Sequence, residues 1–150
     1  MEIIYQIDNI EKLKYFRIEE TAEIRWLELP SDLYSICLFS KDRKPDMVFD
    51  EKESLKSFQE WHDNGCMYCA IFAEGRIVAM AAVEKYSDDK WETADVRVLR
   101  AERNKGYAKQ ICYFVTKYIL EHGYSATCRT EDDNISMQRV IHALGFNPCE

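Results

Sequence analysis

Nothing in this sequence stays apolar for long. The long uninterrupted runs, residues 66–73 and 77–83, fall well short of the roughly 20 residues that a membrane-crossing helix needs. The opening residues, Met1-Glu2-Ile3-Ile4-Tyr5-Gln6, have no basic leader and no long apolar stretch. No signal peptide is expected, and a cytoplasmic location is. Positive charge is also scarce. Lys and Arg number 20 against 27 Asp and Glu, a net charge of −7. Nucleic-acid phosphates require a basic face, so nucleic acid is not expected as the main partner, and neither is a membrane. There is no internal repeat, low-complexity tract or linker. At 150 residues the chain is expected to form one domain, 1–150, with a core that needs no staples.

Metal-ligand sets are thin as well. Six cysteines are scattered along the chain, and Cys66-Met67-Tyr68-Cys69 is the one C-x-x-C. Adding His62 gives three candidate zinc ligands where a structural site wants four. Cys69, Cys112 and Cys128 fall in apolar-patterned elements, where a thiol acts as a small hydrophobe. Free thiols and no metal are the expectation.

What is present centres on residues 92–108. Val96, Val98 and Leu99 suit a strand flanked by polar residues. Arg103, Asn104, Lys105 and Gly106 then form a turn. Ala108, Ile111, Cys112, Val115, Tyr118 and Ile119 mark one face of a helix that stops at His122-Gly123. The free N–H groups of a helix start, with the macrodipole behind them, attract anions. Gly106 leaves room for a close approach. From Arg97 to Lys117 there are six basic residues against one acidic, +5 within a negative chain. On residues alone, two readings fit: a polyphosphate site, or an ordinary strand-to-helix turn with a solvated basic face.

The remaining elements follow from pattern. Residues 2–7 predict a first strand and 10–22 a helix. A second helix starts after Pro30 near Ser31-Asp32, with Leu33, Ile36, Cys37 and Phe39 inward, and 41–45 is a polar break. Asp50 with Glu53 three residues on predicts a capped third helix carrying Leu55, Phe58 and Trp61 or His62, ending at Asn64-Gly65. Residues 67–73 and 76–83, joined by Glu74-Gly75, read as a hairpin apolar on both faces and therefore interior to a sheet. Residues 124–129 predict a strand. Asp132 or Asp133 then caps a helix that buries Met137, Val140, Ile141 and Leu144. These elements predict an α/β (α+β) fold, a mixed sheet with helices on both faces.

Arg103-Asn104-Lys105-Gly106-Tyr107-Ala108 resembles the Q/R-x-x-G-x-G/A signature of the GNAT superfamily, the acetyl-CoA-dependent N-acetyltransferases. Residues 133–146, led by Asp133-Asn134 and ending in Leu144-Gly145-Phe146, resemble that family's second block. The resemblance is clear over 67–146. It implies a mostly antiparallel sheet in which the strand before the turn and the next strand splay apart around the pantetheine arm of acetyl-CoA. It also implies that Arg103, Asn104, Lys105, Gly106, Tyr107, Ala108 and Lys109 form the phosphate turn. Backbone N–H groups near Val98 would polarise the thioester, and Asn134 would contact the arm, unless it is a plain helix-start residue. The implied reaction is acetyl transfer to a primary amine on a small molecule or peptide. The alternative is a silent acyl-CoA-binding module.

Three departures stand out. Ile141 occupies the position where many relatives place a thiolate-protonating tyrosine, and Tyr107, Tyr113 and Tyr124 are the candidates nearby in sequence. Met137 replaces a frequent serine or alanine and reads as core. The chain ends four residues after Phe146, so a shortened C-terminus is expected to leave the 124–129 strand edge exposed or covered by another protomer in a homodimer. Glu92, eleven residues before Arg103, resembles the strand glutamate that serves as base in the histone-acetylating branch. Alternation places it with Ala94, Val96 and Val98, and Asp95 on the other face. A solvated strand end is the plainer reading of Glu92. Residues 8–66 carry fourteen acidic and nine basic side chains, net −5, which favours a cationic acceptor of polyamine, aminoglycoside or lysine type.

Overall fold

The computed structural model describes residues 1–15, 22–46, 48 and 50–149. Seven strands form one sheet: β1 (Glu2–Ile7), β2 (Ala22–Trp26), β3 (Cys66–Ala73), β4 (Arg76–Glu84), β5 (Lys90–Val98), β6 (Ser125–Glu131) and β7 (Asn147–Pro148). The helices are α1 (Leu33–Arg43), α2 (Glu51–Asp63), α3 (Tyr107–Glu121) and α4 (Ile135–Leu144). The strand order is β2-β3-β4-β5-β6-β1-β7, and every pair is antiparallel except β5 with β6. This is the mixed, mostly antiparallel sheet of the expected α/β class.

The β3–β4 hairpin is interior, as its two-sided apolar pattern requires. Cys69, Ala70, Ile71, Ala79, Ala81, Ala82 and Val83 are fully buried. Glu74 and Gly75 both adopt positive φ (52° and 77°), the backbone that a two-residue hairpin turn demands. α3 and α4 cover one face. Ile111, Val115 and Ile119 of α3 are fully buried there, each contributing roughly 1.5–3 kcal/mol of apolar burial. α1 and α2 cover the other face, where Ile36 and Phe39 pack with Ala70, Ile77 and Met80. Asp50 caps α2 through Lys52 N (2.8 Å) and Glu53 N (3.2 Å), as its spacing predicts.

Three expectations fail. The helix over 10–22 does not form where the chain is described. Ile10–Lys12 is a single 3-10 turn, Leu13 is extended (φ −73°, ψ 121°) and Ala22 begins β2; residues 16–21 lie outside the described residues. Tertiary pairing wins over local pattern here. Ile24 and Trp26 reach the core, with Trp26 against Phe114 and Tyr118 of α3, and β2 pairs with β3 from Ala22↔Ala73 to Trp26↔Cys69. The cap of α4 is Asn134, whose side chain accepts from Met137 N at 3.1 Å; Asp132 instead binds the N-terminal amine. Finally, the β6 edge is not exposed. β1 covers it along its whole length, Glu2↔Glu131 to Ile7↔Ala126, and β7 lies outside β1. The edge that was expected to call for a second protomer is filled by the chain's own first strand.

Candidate functional site

β5 and β6 are paired only at their beginnings. Lys90↔Ser125, Trp91↔Ala126 and Glu92↔Thr127 complete the register, and the strands then part. β5 remains attached to β4 on its other side through Ala79↔Val98. Leu99 N donates to Val78 O, towards β4. N–H directions alternate along a strand, so the Val98 N–H faces the gap between β5 and β6. The result is a cleft with the Val98 N–H on its wall.

A bulge sits in the middle of β5. Ala82 opposes Ala94 and Met80 opposes Arg97, so Asp95 and Val96 together face Ala81. Asp95 takes φ +50°, a left-handed conformation that an aspartate adopts at some cost. The extra residue reverses the side-chain alternation expected for this strand. Trp91 and Thr93 face α3, Thr93 bonding Thr116 at 2.9 Å, and after the bulge Val96 and Val98 join the same core. Glu92 therefore shares its face with Asp95 and Arg97, on the side of α1 and α2.

At the far end of the cleft lies the basic turn. Arg100–Glu102 forms a 3-10 turn, Asn104 (φ +67°) and Gly106 (φ +82°) are left-handed, and α3 begins at Tyr107. The first helical bond is Gln110 N to Gly106 O, which leaves the N–H groups of Tyr107 and Ala108 beyond the reach of helical acceptors. Gly106 has no side chain to cap them. A Cβ on Gly106 would meet only Gln110 Nε2, at 3.7 Å, so the space in front of the turn is open. Arg103 is exposed at this end. Lys105 is held by Glu102 at 2.7 Å, which offsets part of its charge. Gln110 is only 5 % exposed, and its Oε1 has no hydrogen-bond partner. A buried orphan of this kind costs about 1–3 kcal/mol. An open glycine turn at a helix start, with the Arg103 side chain beside it, fits a bound polyphosphate.

Glu92 stands where β5 and β6 begin to part, with its side chain 13 % exposed. Its Oε1 accepts from Arg129 Nε at 2.7 Å and from Thr127 Oγ1 at 3.3 Å. Thr127 in turn meets the Tyr86 hydroxyl at 3.0 Å. Burial raises the Glu92 carboxyl above the usual carboxylate range, while Arg129 and Thr127 pull against that rise. The plainer reading, a solvated strand end, does not hold. Sequence reasoning did not find Arg129, Thr127 or Tyr86, because only the parallel pairing and the fold-back of the β4–β5 connection bring them to this carboxylate.

On the same face a cavity of about 480 Å³ opens between α1, α2 and the sheet. Asp95 lines it, accepting from the Tyr68 hydroxyl at 2.9 Å and pairing with Arg97. Tyr68 packs edge-on against Phe58 and tilted against Trp61. Asp50 and Glu53 at the start of α2, Arg43 and Lys44 at the end of α1, and Ser40, Ser54 and Ser57 add to the polar lining. Burial and the neighbouring Arg97 both lower the Arg43 pKa.

The remaining site candidates lie elsewhere. Ile141 is core, 1 % exposed, and no tyrosine replaces it on α4. Tyr107 is buried, Tyr113 packs on Tyr15, and Tyr124 stacks on Trp91 at 4.0 Å on the α3 side. None of the three faces the parted strands, whereas Tyr86 stands at their root. Asn134 is committed through Oδ1 to its cap. The six cysteines are unpaired, and burial pushes the Cys128 thiol up to about 12. Among the described residues no group of three or more His, Cys, Asp or Glu is placed to hold a metal ion, and no helix is long and apolar enough to cross a membrane.

A family model for the GNAT acetyltransferases matches residues 12–146. No curated protein matches the chain. Solved structures share the fold. An acetyltransferase of the GNAT family from Colwellia psychrerythraea superposes with a TM-score of 0.75 at 17% identity, covering 99% of this chain and 52% of that one. A GCN5-related N-acetyltransferase from Kribbella flavida gives 0.68 at 17%, covering 97% and 53%. This chain thus spans about half the length of those two proteins. AAC(6')-Iy, solved with the bisubstrate analogue CoA-S-monomethyl-acetylneamine, gives 0.69 at 22%, covering 86% and 92%. With the matched span running from the first 3-10 turn to Phe146 and taking in both sequence blocks, this chain belongs to the GNAT family of acetyltransferases.

Proposed function

We propose that this chain moves an acetyl group from acetyl-CoA to a primary amine by direct transfer. The observation that carries this reading is the parting of β5 and β6 after Glu92↔Thr127, with the open glycine turn at the end of the cleft. Residues 103–109 hold the phosphates, through the N-terminal end of α3 and the charges of Arg103, Lys105 and Lys109. The Val98 N–H, directed into the gap, stabilises the oxygen that gains charge as the thioester carbonyl is attacked. Bound acetyl-CoA supplies that thioester. Glu92 takes the ammonium proton, directly or through one water, and burial suits it to do so by raising its affinity for a proton. Asp95, on the same face after the bulge, is the second candidate.

The acceptor enters from the α1/α2 side, over the cavity that Asp95, Asp50 and Glu53 line. The cavity's carboxylates are matched by Arg43, Lys44 and Arg97, so it is the acidic excess of residues 8–66 that supports a cationic primary amine. The free thiols are in keeping with a cytoplasmic setting. One observation favours the second reading, a silent acyl-CoA-binding module: the buried Ile141 offers no hydroxyl to a departing thiolate. Thiol release from acetyl-CoA, followed across spermidine, neamine, lysine and a lysine peptide, separates the two. Release with at least one amine supports transfer. Clean coenzyme A binding with silence across the panel supports the module.

A further inference from the structure

We infer that Gln110 is a cofactor-binding residue: its carboxamide nitrogen forms the side wall of the turn at Gly106 and donates to a phosphate oxygen of bound coenzyme A. This rests on the reading of that turn as the phosphate site. Gln110 is the fourth residue after Gly106, and its N–H makes the first bond of α3, to Gly106 O at 3.1 Å. Helical side chains lean towards the N-terminus, so its amide lies over the turn that precedes it. The position of Nε2, 3.7 Å from where a Gly106 Cβ would stand and the only atom such a Cβ would meet, sets the nitrogen beside the open space.

The burial of this amide has no internal explanation. The other strongly buried polar side chain on α3, Thr116, is paired with Thr93 at 2.9 Å. Gln110 is 5 % exposed with Oε1 unpartnered, and an apolar side chain would suit that burial better. Reversing the amide would be no remedy. It would aim an acceptor at the anion space. A donor facing a phosphate gains a charge-assisted bond, which is the interaction that this orientation is able to make.

The test is calorimetric titration of coenzyme A, with thermal melting of the unliganded protein alongside. Gln110→Leu removes the orphan and the donor together. It is expected to melt at or above the parent temperature and to bind coenzyme A roughly ten-fold or more weakly. Gln110→Glu keeps the shape. Ionised, it opposes the phosphate; protonated, it donates again, so its binding should recover as pH falls while the parent's does not. Folded Gln110→Leu with the parent's Kd overturns the inference, as does a Gln110→Glu affinity that tracks the parent at every pH. Should Gln110→Leu fail to fold, the Gln110→Glu profile decides. A parent protein that does not bind coenzyme A overturns the reading of the turn itself.

Discussion

Glu92 and Thr127 are the last residues that join β5 to β6. Their backbones close the parallel register, and Thr127 Oγ1 donates to the Glu92 carboxylate at 3.3 Å. Everything ahead of them on the two strands is cleft. In the proposed reaction this carboxylate, largely withdrawn from water and tied to Arg129, would accept a proton from an amine entering there.

The pH profile of turnover should report this carboxylate. As a base it acts only when ionised, so the rate falls as pH drops through its raised pKa, above the usual carboxylate range. Arg129→Met removes an influence that lowers this pKa, and should move the acidic limb of kcat/KM to higher pH. Glu92→Gln should abolish the limb and cut turnover by roughly 10²–10⁴, with coenzyme A binding intact. An unshifted limb in Arg129→Met assigns the titration to another group.

Asp32 should make stability depend on acid. It is 7 % exposed, accepts from Arg25 Nη1 and Nη2 at 2.7 and 2.8 Å, and accepts from Glu28 N at 2.7 Å. The Arg25 bonds lower its pKa. A depressed carboxylate stabilises the fold above its unfolded pKa, and that contribution is lost as pH falls through the folded value. Asp32→Ala should cost about 1–3 kcal/mol at neutral pH. The difference from the parent should shrink below pH about 3.9. Urea melts at both pH values measure it.

Gly145 should be intolerant of any side chain. Its φ is +103°, and a Cβ there would stand 2.3 Å from the Lys12 carbonyl oxygen. Both atoms of that clash are held in place, because Lys14 N bonds Leu144 O at 3.0 Å. Gly145→Ala should lose roughly 2–4 kcal/mol, seen as a lowered Tm. A parental Tm would show that the N-terminal turn moves aside without cost.

The parts of the fold that declare themselves locally were legible. α3 and α4 carry apolar residues at helical spacing and stop at Gly123 and Gly145, both with positive φ. The Glu74-Gly75 turn marks its hairpin. β2 was not legible, because a five-residue strand shows little pattern of its own and is defined by its pairing with β3. The bulge was hidden because its left-handed residue is an aspartate where a glycine would have signalled it. That one residue turned the predicted faces of Glu92 and Val98 apart. The basic turn and Glu92 stood out through their resemblance to the family's pattern, since on the residues alone each kept a plainer reading. The partners of Glu92 lie 35 and 37 residues later in sequence, and only the β5–β6 pairing joins them.

The central claim is that the turn at Gly106 binds acetyl-CoA, and calorimetric titration of Gly106→Val against the parent tests it most directly. The substitution sets a branched side chain in the open space at a residue whose φ is +82°. The parent should bind coenzyme A. The variant, checked for folding by its near-ultraviolet circular dichroism, should show no measurable binding at the same concentrations. Arg103→Ala should bind more weakly than the parent by an amount that shrinks as salt is raised. A folded Gly106→Val protein that binds coenzyme A with the parent's affinity would contradict the account and place the site elsewhere.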